Sequence, residues 1–182
     1  SEGSGDGSGS GGSSESSGGV VCVEETAASS QNINDGNDVA WMASGGSGTV
    51  ILDRQEVAQT LETSDFGFSL PPGKTVVGIT ATLNIASPDN ESNGIEAGLV
   101  AVISGSKSGS RPLFPSGDNL WPTGATDQVV GGDDDTWDED WTTDDFNSSA
   151  LKVNLLNVEQ SLNNNEHTGT VNSVKLKVCY VV

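Results

Sequence analysis

Between Asp133 and Asp145 the chain carries Asp133, Asp134, Asp135, Asp138, Glu139, Asp140, Asp144 and Asp145, interleaved with Trp137 and Trp141. Hard oxygen donors this close in sequence suit Ca²⁺, which takes about six to eight oxygen ligands in a flexible geometry. Asp133, Asp134, Asp135, Asp138 and Asp140 are the candidate ligands, with backbone carbonyls completing the shell. The pattern is not an EF-hand, because the loop Gly and the closing Glu are missing at the required spacing. The competing reading is a solvated acidic loop pinned by its tryptophans. Trp121, Trp137 and Trp141, and also Trp41, are candidate platforms for stacking on sugar rings if their faces are exposed. Burial is the commoner state for a tryptophan in a small domain.

Catalytic chemistry finds little to work with. The single histidine, His167, stands in the polar stretch NNNEHTG, where it reads as a solvated surface group. No GxSxG, HExxH or CxxC spacing occurs, and no Gly-rich phosphate loop leads into a helix. At this density of acids, carboxylate pairs arise by chance. No catalytic residue is assigned, and the chain is not expected to be an enzyme. Asn90 and Asn147 fall in N-x-S sequons, a pattern too common to carry weight alone.

The elements that must position these residues read as strands. Val77, Ile79, Ala81, Leu83 and Ile85 alternate with Thr80, Thr82 and Asn84, the period of a half-buried strand. Leu151, Val153 and Leu155 repeat the pattern, as do Val174, Leu176, Val178 and Tyr180. Candidate strands are Val20–Thr26, Val39–Ala43, Thr49–Asp53, Thr75–Ala86, Ile95–Ser104, Asp127–Val130, Ala150–Val158 and Val171–Val182. Turn chemistry separates them at Asp35-Gly36, Gly45-Gly46, Pro71-Pro72-Gly73, Asn93-Gly94 and Gly131-Gly132. A helical period is plausible only around Asp53–Leu61, as a single short turn or helix. About eight strands with long polar connections predict an all-β fold, an antiparallel β-sandwich of jelly-roll type, over residues 20–182. A meander or a barrel stays open.

Parity places the two cysteines. Val21 and Val23 read as core in the first strand, so Cys22 points the other way. Val178 and Tyr180 read as core in the last strand, which turns Cys179 outward as well. Side-by-side pairing of these strands would let Cys22 and Cys179 form a disulfide, implying exposure to an oxidising, extracellular or virion-surface environment.

Composition removes several partners. Lys and Arg number 7 against 26 Asp and Glu, a formal net charge of −19. Nucleic acid and anionic membranes both need a basic footprint, so neither is expected as a partner. The longest apolar run is far short of a membrane span, and no charged-then-apolar signal segment opens the sequence. Residues 1–19 contain only Ser, Gly and acids, and so predict a flexible arm or linker with nothing of its own to bury.

Three segments carry a resemblance: FGFSLPPGKTVVGITATLNIA (Phe66 to Ala86), GGDDDTWDEDWTTDDFNSSALKVNL (Gly131 to Leu155) and TVNSVKLKVCYVV (Thr170 to Val182). Together they resemble the β-sandwich, jelly-roll-like modules of tailed-phage virion accessory proteins and of large secreted bacterial surface proteins. Gly131, Gly132, Trp137, Trp141, Asp145, Val171, Val174 and Tyr180 fall on the shared pattern. Asp138, Ala150-Leu151 and Asn172 depart from it, where Gly, Phe-Gly and Asp are usual. The resemblance implies a scaffold or attachment role without a catalytic site. Two function classes follow. One is a self-associating virion decoration or fibre subunit, whose partners are copies of itself and a capsid, tail or filament scaffold. The other is a carbohydrate- or receptor-binding module using the Trp/Asp loop on a surface glycan. A subunit of a bacterial or archaeal extracellular filament is a further alternative.

Overall fold

The computed structural model describes residues 19–90, 93–116, 119–160 and 165–182. The arm expected over residues 1–19 therefore lies, but for Gly19, outside the described residues. Along the chain run β1 (Val20–Thr26), β2 (Ser29–Ile33), β3 (Met42–Ser44), β4 (Ser47–Leu52), β5 (Thr60–Ser64), β6 (Val76–Ala86) and β7 (Ile95–Glu96). They are followed by β8 (Leu99–Ser104), β9 (Lys107–Pro112), β10 (Thr126–Gly132), α1 (Thr143–Asn147), β11 (Leu151–Leu156), β12 (Glu159–Gln160) and β13 (His167–Val181). The protein is all-β with antiparallel sheets. One sheet has the order β10-β6-β13-β4-β3, with β1 also paired to β13; the second is β2-β5-β11-β8-β9; β12 and β7 form a small pair.

The long strand β13 organises the first sheet. β6 follows one side of it from Thr170↔Ala86 to Tyr180↔Val76. On its other side β4 pairs with His167 to Val171, and β1 pairs with Lys175 to Val181. Alternation along these strands turns Val50, Leu52, Ile79, Leu83, Ile85, Leu176 and Val178 into one apolar cluster. Leu61, Val100, Val102, Leu151, Val153 and Leu155 of the second sheet belong to the same cluster. Each such side chain contributes about 1.5–3 kcal/mol on full burial, so pairing of alternating faces is the dominant cause of the fold.

Several expectations are corrected by local geometry. Val77 leaves the core face because β6 and β13 slip register between Cys179↔Gly78 and Tyr180↔Val76; Val76 is buried instead. The strand expected over Ile95–Ser104 breaks at Ala97 and Gly98, whose φ values of 64° and 143° cannot continue a strand. A Cβ on Gly98 would lie 3.0–3.2 Å from Leu113 and Leu155, so a side chain there would have to push them aside. Around Asp53–Leu61 a single turn forms and no helix: the Glu56 N–H donates to the Asp53 carbonyl at 3.2 Å, Gln55 turns at φ 63°, and β5 begins at Thr60. The helix among the described residues is α1, where the Asp145 carboxylate accepts from the Thr142 N–H at 2.9 Å. Val21, expected in the core, is 40% exposed because β1 is an edge strand; Val23 packs against the core only in part. Among the described residues, thirteen strands replace the eight expected. No helix among them is long and apolar enough to cross a membrane.

Candidate functional site

The acidic tryptophan loop is built as an extension of a strand edge. β10 pairs with β6 as far as Gly132↔Ile79. The chain then continues along the same edge: the Asp135 carbonyl accepts from the Ile79 N–H at 2.8 Å, and the Trp141 carbonyl from the Val76 N–H at 3.1 Å. Two glycines permit the approach. Gly131 turns at φ 85°, and a Cβ on Gly78 would stand 1.9 Å from the Asp133 carbonyl oxygen. Trp137 and Asp138 both take left-handed backbone, at φ 55° and 59°, which folds the Trp137 ring back under the loop. Its ring N–H donates to the Ile79 carbonyl at 2.9 Å.

From the other sheet, β9 supplies the counter-charges. Lys107, Gly109 and Arg111 share one face, and the Trp137 backbone rests on Gly109. Arg111 meets Asp135 two-pronged, with Nη2 to Oδ1 at 2.8 Å and Nε to Oδ2 at 3.0 Å. It also reaches the Asp138 carboxylate at 3.1 Å and lies 5.9 Å over the Trp137 ring. Lys107 pairs with Asp145 at 2.8 Å and Lys177 with Asp133 at 2.6 Å. The hydrogen bond from Arg111 holds the Asp135 carboxyl below its ordinary range, against the opposing effect of partial burial and with help from the Trp137 N–H. A two-pronged Arg–carboxylate contact is the stronger kind of ion pair. The loop is thus tied to both large sheets.

The five candidate Ca²⁺ ligands do not converge. Asp133 faces Lys177, while Asp135 and Asp138 face Arg111. Asp134 and Asp140 are exposed. Among the described residues the one grouping of three potential ligand atoms within 4.8 Å is Cys22, Cys179 and Asp133. There the two sulfurs are bonded to each other, as the Cys22↔Cys179 register of the first and last strands permits. This disulfide is consistent with a secreted or extracellular protein.

The candidate sugar platforms are interior. Trp121, Trp137 and Trp141 are 1–2% exposed, so none presents the open ring face that stacking needs. The Trp121 and Trp141 ring N–H groups donate to the carbonyls of Ala97 and Thr136 at 2.9 and 2.8 Å. Trp41 is buried as well. His167, expected in solvent, opens β13 on its core-facing side, with Nδ1 2.9 Å from the Asn165 carbonyl. Asn90 is buried and bonds both Ile95 and Trp121. Asn147 exchanges two hydrogen bonds with the Leu70 backbone. Both sequon side chains are therefore engaged internally.

A groove of about 590 Å³ borders the loop, lined by Lys107, Thr136, Glu139, Asp140 and Trp141 among others. It sets the carboxylates of Glu139 and Asp140 beside the Lys107 ammonium and the hydroxyls of Thr75, Thr136 and Thr142. Lys107, Arg111 and Lys177 are the residues missed by reasoning from the acids alone. The available signal was the rarity of cations and the matched parity of positions 107 and 111. Comparison with protein-family models and with curated proteins returned no match.

Proposed function

We propose that the protein is a non-enzymatic structural module, a β-sandwich of jelly-roll type that self-associates on an external surface as a virion decoration or fibre subunit. The observation that carries this reading is the Arg111–Asp135–Trp137 clasp. The segment richest in chemical groups is committed to tying the two sheets together, and its indoles serve as core. A shared core between two large antiparallel sheets supports the sandwich. The disulfide and the acidic exterior suit an oxidising external setting. The residues of the Ser/Gly segment ahead of β1 let a backbone approach another closely, which suits an arm laid across a neighbour.

Deletion of residues 1–18 tests the reading. The truncated chain is expected to keep its near- and far-ultraviolet circular dichroism while losing assembly, followed by light scattering and electron microscopy. Unchanged assembly would overturn it. The 590 Å³ groove favours a second reading, a glycan- or receptor-binding module. Saturable glycan binding lost on Asp140→Ala, with a monomeric wild-type chain, would favour that alternative.

A further inference from the structure

The outward face of the β2-β5-β11-β8-β9 sheet carries an apolar strip across two neighbouring strands, while the other large sheet exposes apolar side chains at Met42, Ile51 and Val129. An antiparallel sheet with one solvated face alternates apolar-in with polar-out. β6 and β13 do so, showing Thr82, Asn84, Lys175 and Lys177 outward. β8, by contrast, reads Leu-Val-Ala-Val-Ile, apolar at both parities. Val100 and Val102 fill the core, which leaves Leu99, Ala101 and Ile103 on the opposite face. Leu156 of β11 stands opposite Leu99 and extends this strip. All four are half-buried, and a groove of about 430 Å³ lies over them.

Charge identifies the occupant. In a chain of net charge −19, the strand positions of this face carry one carboxylate, Glu62, and one ammonium, Lys152. Asp138 also lines the groove, where Arg111 neutralises it, and Asp35 and Asp65 follow the ends of β2 and β5, bonded to Thr60 and Ser29. Two copies of so acidic a chain repel each other elsewhere and meet at least cost where their charge balances. Residues 1–18 contain no apolar side chain and are unsuited to covering an apolar strip.

From these observations we infer that this face is the docking surface for a second copy of the chain. The two strips pack face to face across a twofold axis lying in the interface, and Lys152 of each copy meets Glu62 of the other. Lys152 and Glu62 are one residue to either side of the Val153↔Thr63 pair, on neighbouring strands. An isologous interface then uses each pair twice. The inference deepens the self-association reading above and rests on it, but it assigns the contact to a face of the folded domain, not to the arm.

Sedimentation equilibrium of the full chain is expected to give about twice 18.6 kDa. Ala101→Arg puts a charge in the middle of the strip and is expected to halve that mass with the melting temperature unchanged. Lys152→Glu is expected to raise the dimer dissociation constant about tenfold, and the exchange Lys152→Glu with Glu62→Lys to restore it. A variant that failed to fold would not be rescued by the second change, so the exchange decides the matter if Ala101→Arg is unstable. A monomeric wild-type chain, or a dimer indifferent to both sets of variants, overturns the inference. If deletion of residues 1–18 abolishes assembly while the face variants leave it intact, the arm reading survives and this one falls. Pairing lost in the face variants but kept on truncation supports the face and removes the arm.

Discussion

Cys22 and Cys179 stand directly opposite each other in the antiparallel register of β1 and β13 and are joined by a disulfide across 157 positions. Among the described residues β1 pairs with no strand besides β13, and its partly exposed Val20 and Val21 bury little area of their own. The covalent bond therefore fixes an edge strand that packing alone holds weakly. It also closes a loop spanning nearly the whole domain. On the chain-entropy account, a loop of that length contributes about 5 kcal/mol through the unfolded state.

Reduction should accordingly lower the melting temperature by about 10–20 °C, taking about 2–4 °C per kcal/mol for a chain of this size. Thiol titration of the unfolded, unreduced protein should find none. Two reactive thiols, or a melting temperature unmoved by reductant, would remove the bond from the account.

The clasp predicts a pH dependence whose sign follows from Asp135. Its folded carboxyl titrates below the ordinary aspartate value of about 3.9, so the unfolded chain takes up the proton first as the pH falls. Stability that this group contributes is fully present above the unfolded value and is lost as acid carries the pH down through the folded one. Asp35 adds to the same trend: burial works to raise its pKa, but the Asn37 N–H and the Thr60 hydroxyl outweigh it. Arg111→Met should flatten the acid limb of the stability curve and destabilise at neutral pH. An unchanged acid limb in Arg111→Met would show that the pair carries no such linkage.

Much of this was legible in the residues, and the reasons are specific. Alternation in Ile79–Ile85 and in β13 announced central strands, and side-by-side pairing of the first and last strands put Cys22 beside Cys179, although Val21 is exposed and Cys179 buried, against the parity expected of them. Besides the two-residue Glu159–Gln160, the strands that went unseen are SSQNI, TLETS and KSGSRP, in which apolar residues are nearly absent. Their faces are decided by partners far along the chain: the Thr63 hydroxyl donates to Val153 and the Ser30 hydroxyl to Ser47. Of the two readings of the acidic loop, a cation site and a solvated loop pinned by its tryptophans, neither includes its ion pairs, because carboxylates advertise themselves and the cations that answer them do not. Lys107, Arg111 and Lys177 are remote in sequence and converge only in the fold.

Chelation separates the clasp from a cation cage. With Asp133, Asp135 and Asp138 already opposite Lys177 and Arg111, excess chelator should leave the melting temperature unchanged. A drop that Ca²⁺ but not Na⁺ at equal ionic strength restores would place an ion in the loop.

Asn90 is expected to be among the costliest polar positions. Its amide donates to the carbonyls of Ile95 and Trp121, and its carbonyl accepts from the Ile95 N–H and the Ser87 hydroxyl, all in buried surroundings. Asn90→Ala strands those partners without water, which should cost about 2–4 kcal/mol in denaturant unfolding. A loss under about 0.5 kcal/mol, the range of ordinary surface changes, would mean that the network is not formed. Mass spectrometry of protein from a glycosylating host should find residue 90 unmodified.

Gly78 is the position where the loop and the sheet come closest. A Cβ there would lie 1.9 Å from the Asp133 carbonyl oxygen and 2.0 Å from its carbon, both backbone atoms that no rotamer can move. Gly78 has no positive φ, so the cost of a side chain is the collision alone and not backbone strain. Relief requires the loop to lift from the β6 edge, which loosens the Ile79–Asp135 hydrogen bond and the Lys177–Asp133 ion pair together. Gly78→Ala should therefore destabilise by about 2 kcal/mol or more, as overpacking of a tight site does. Gly124 is the matched control, since a Cβ there meets nothing within 4 Å and its φ is unexceptional. Gly124→Ala should stay within about 0.5 kcal/mol of the parent. Equal stability of the two variants would mean that the loop is not seated on β6, and the clasp would fall with it.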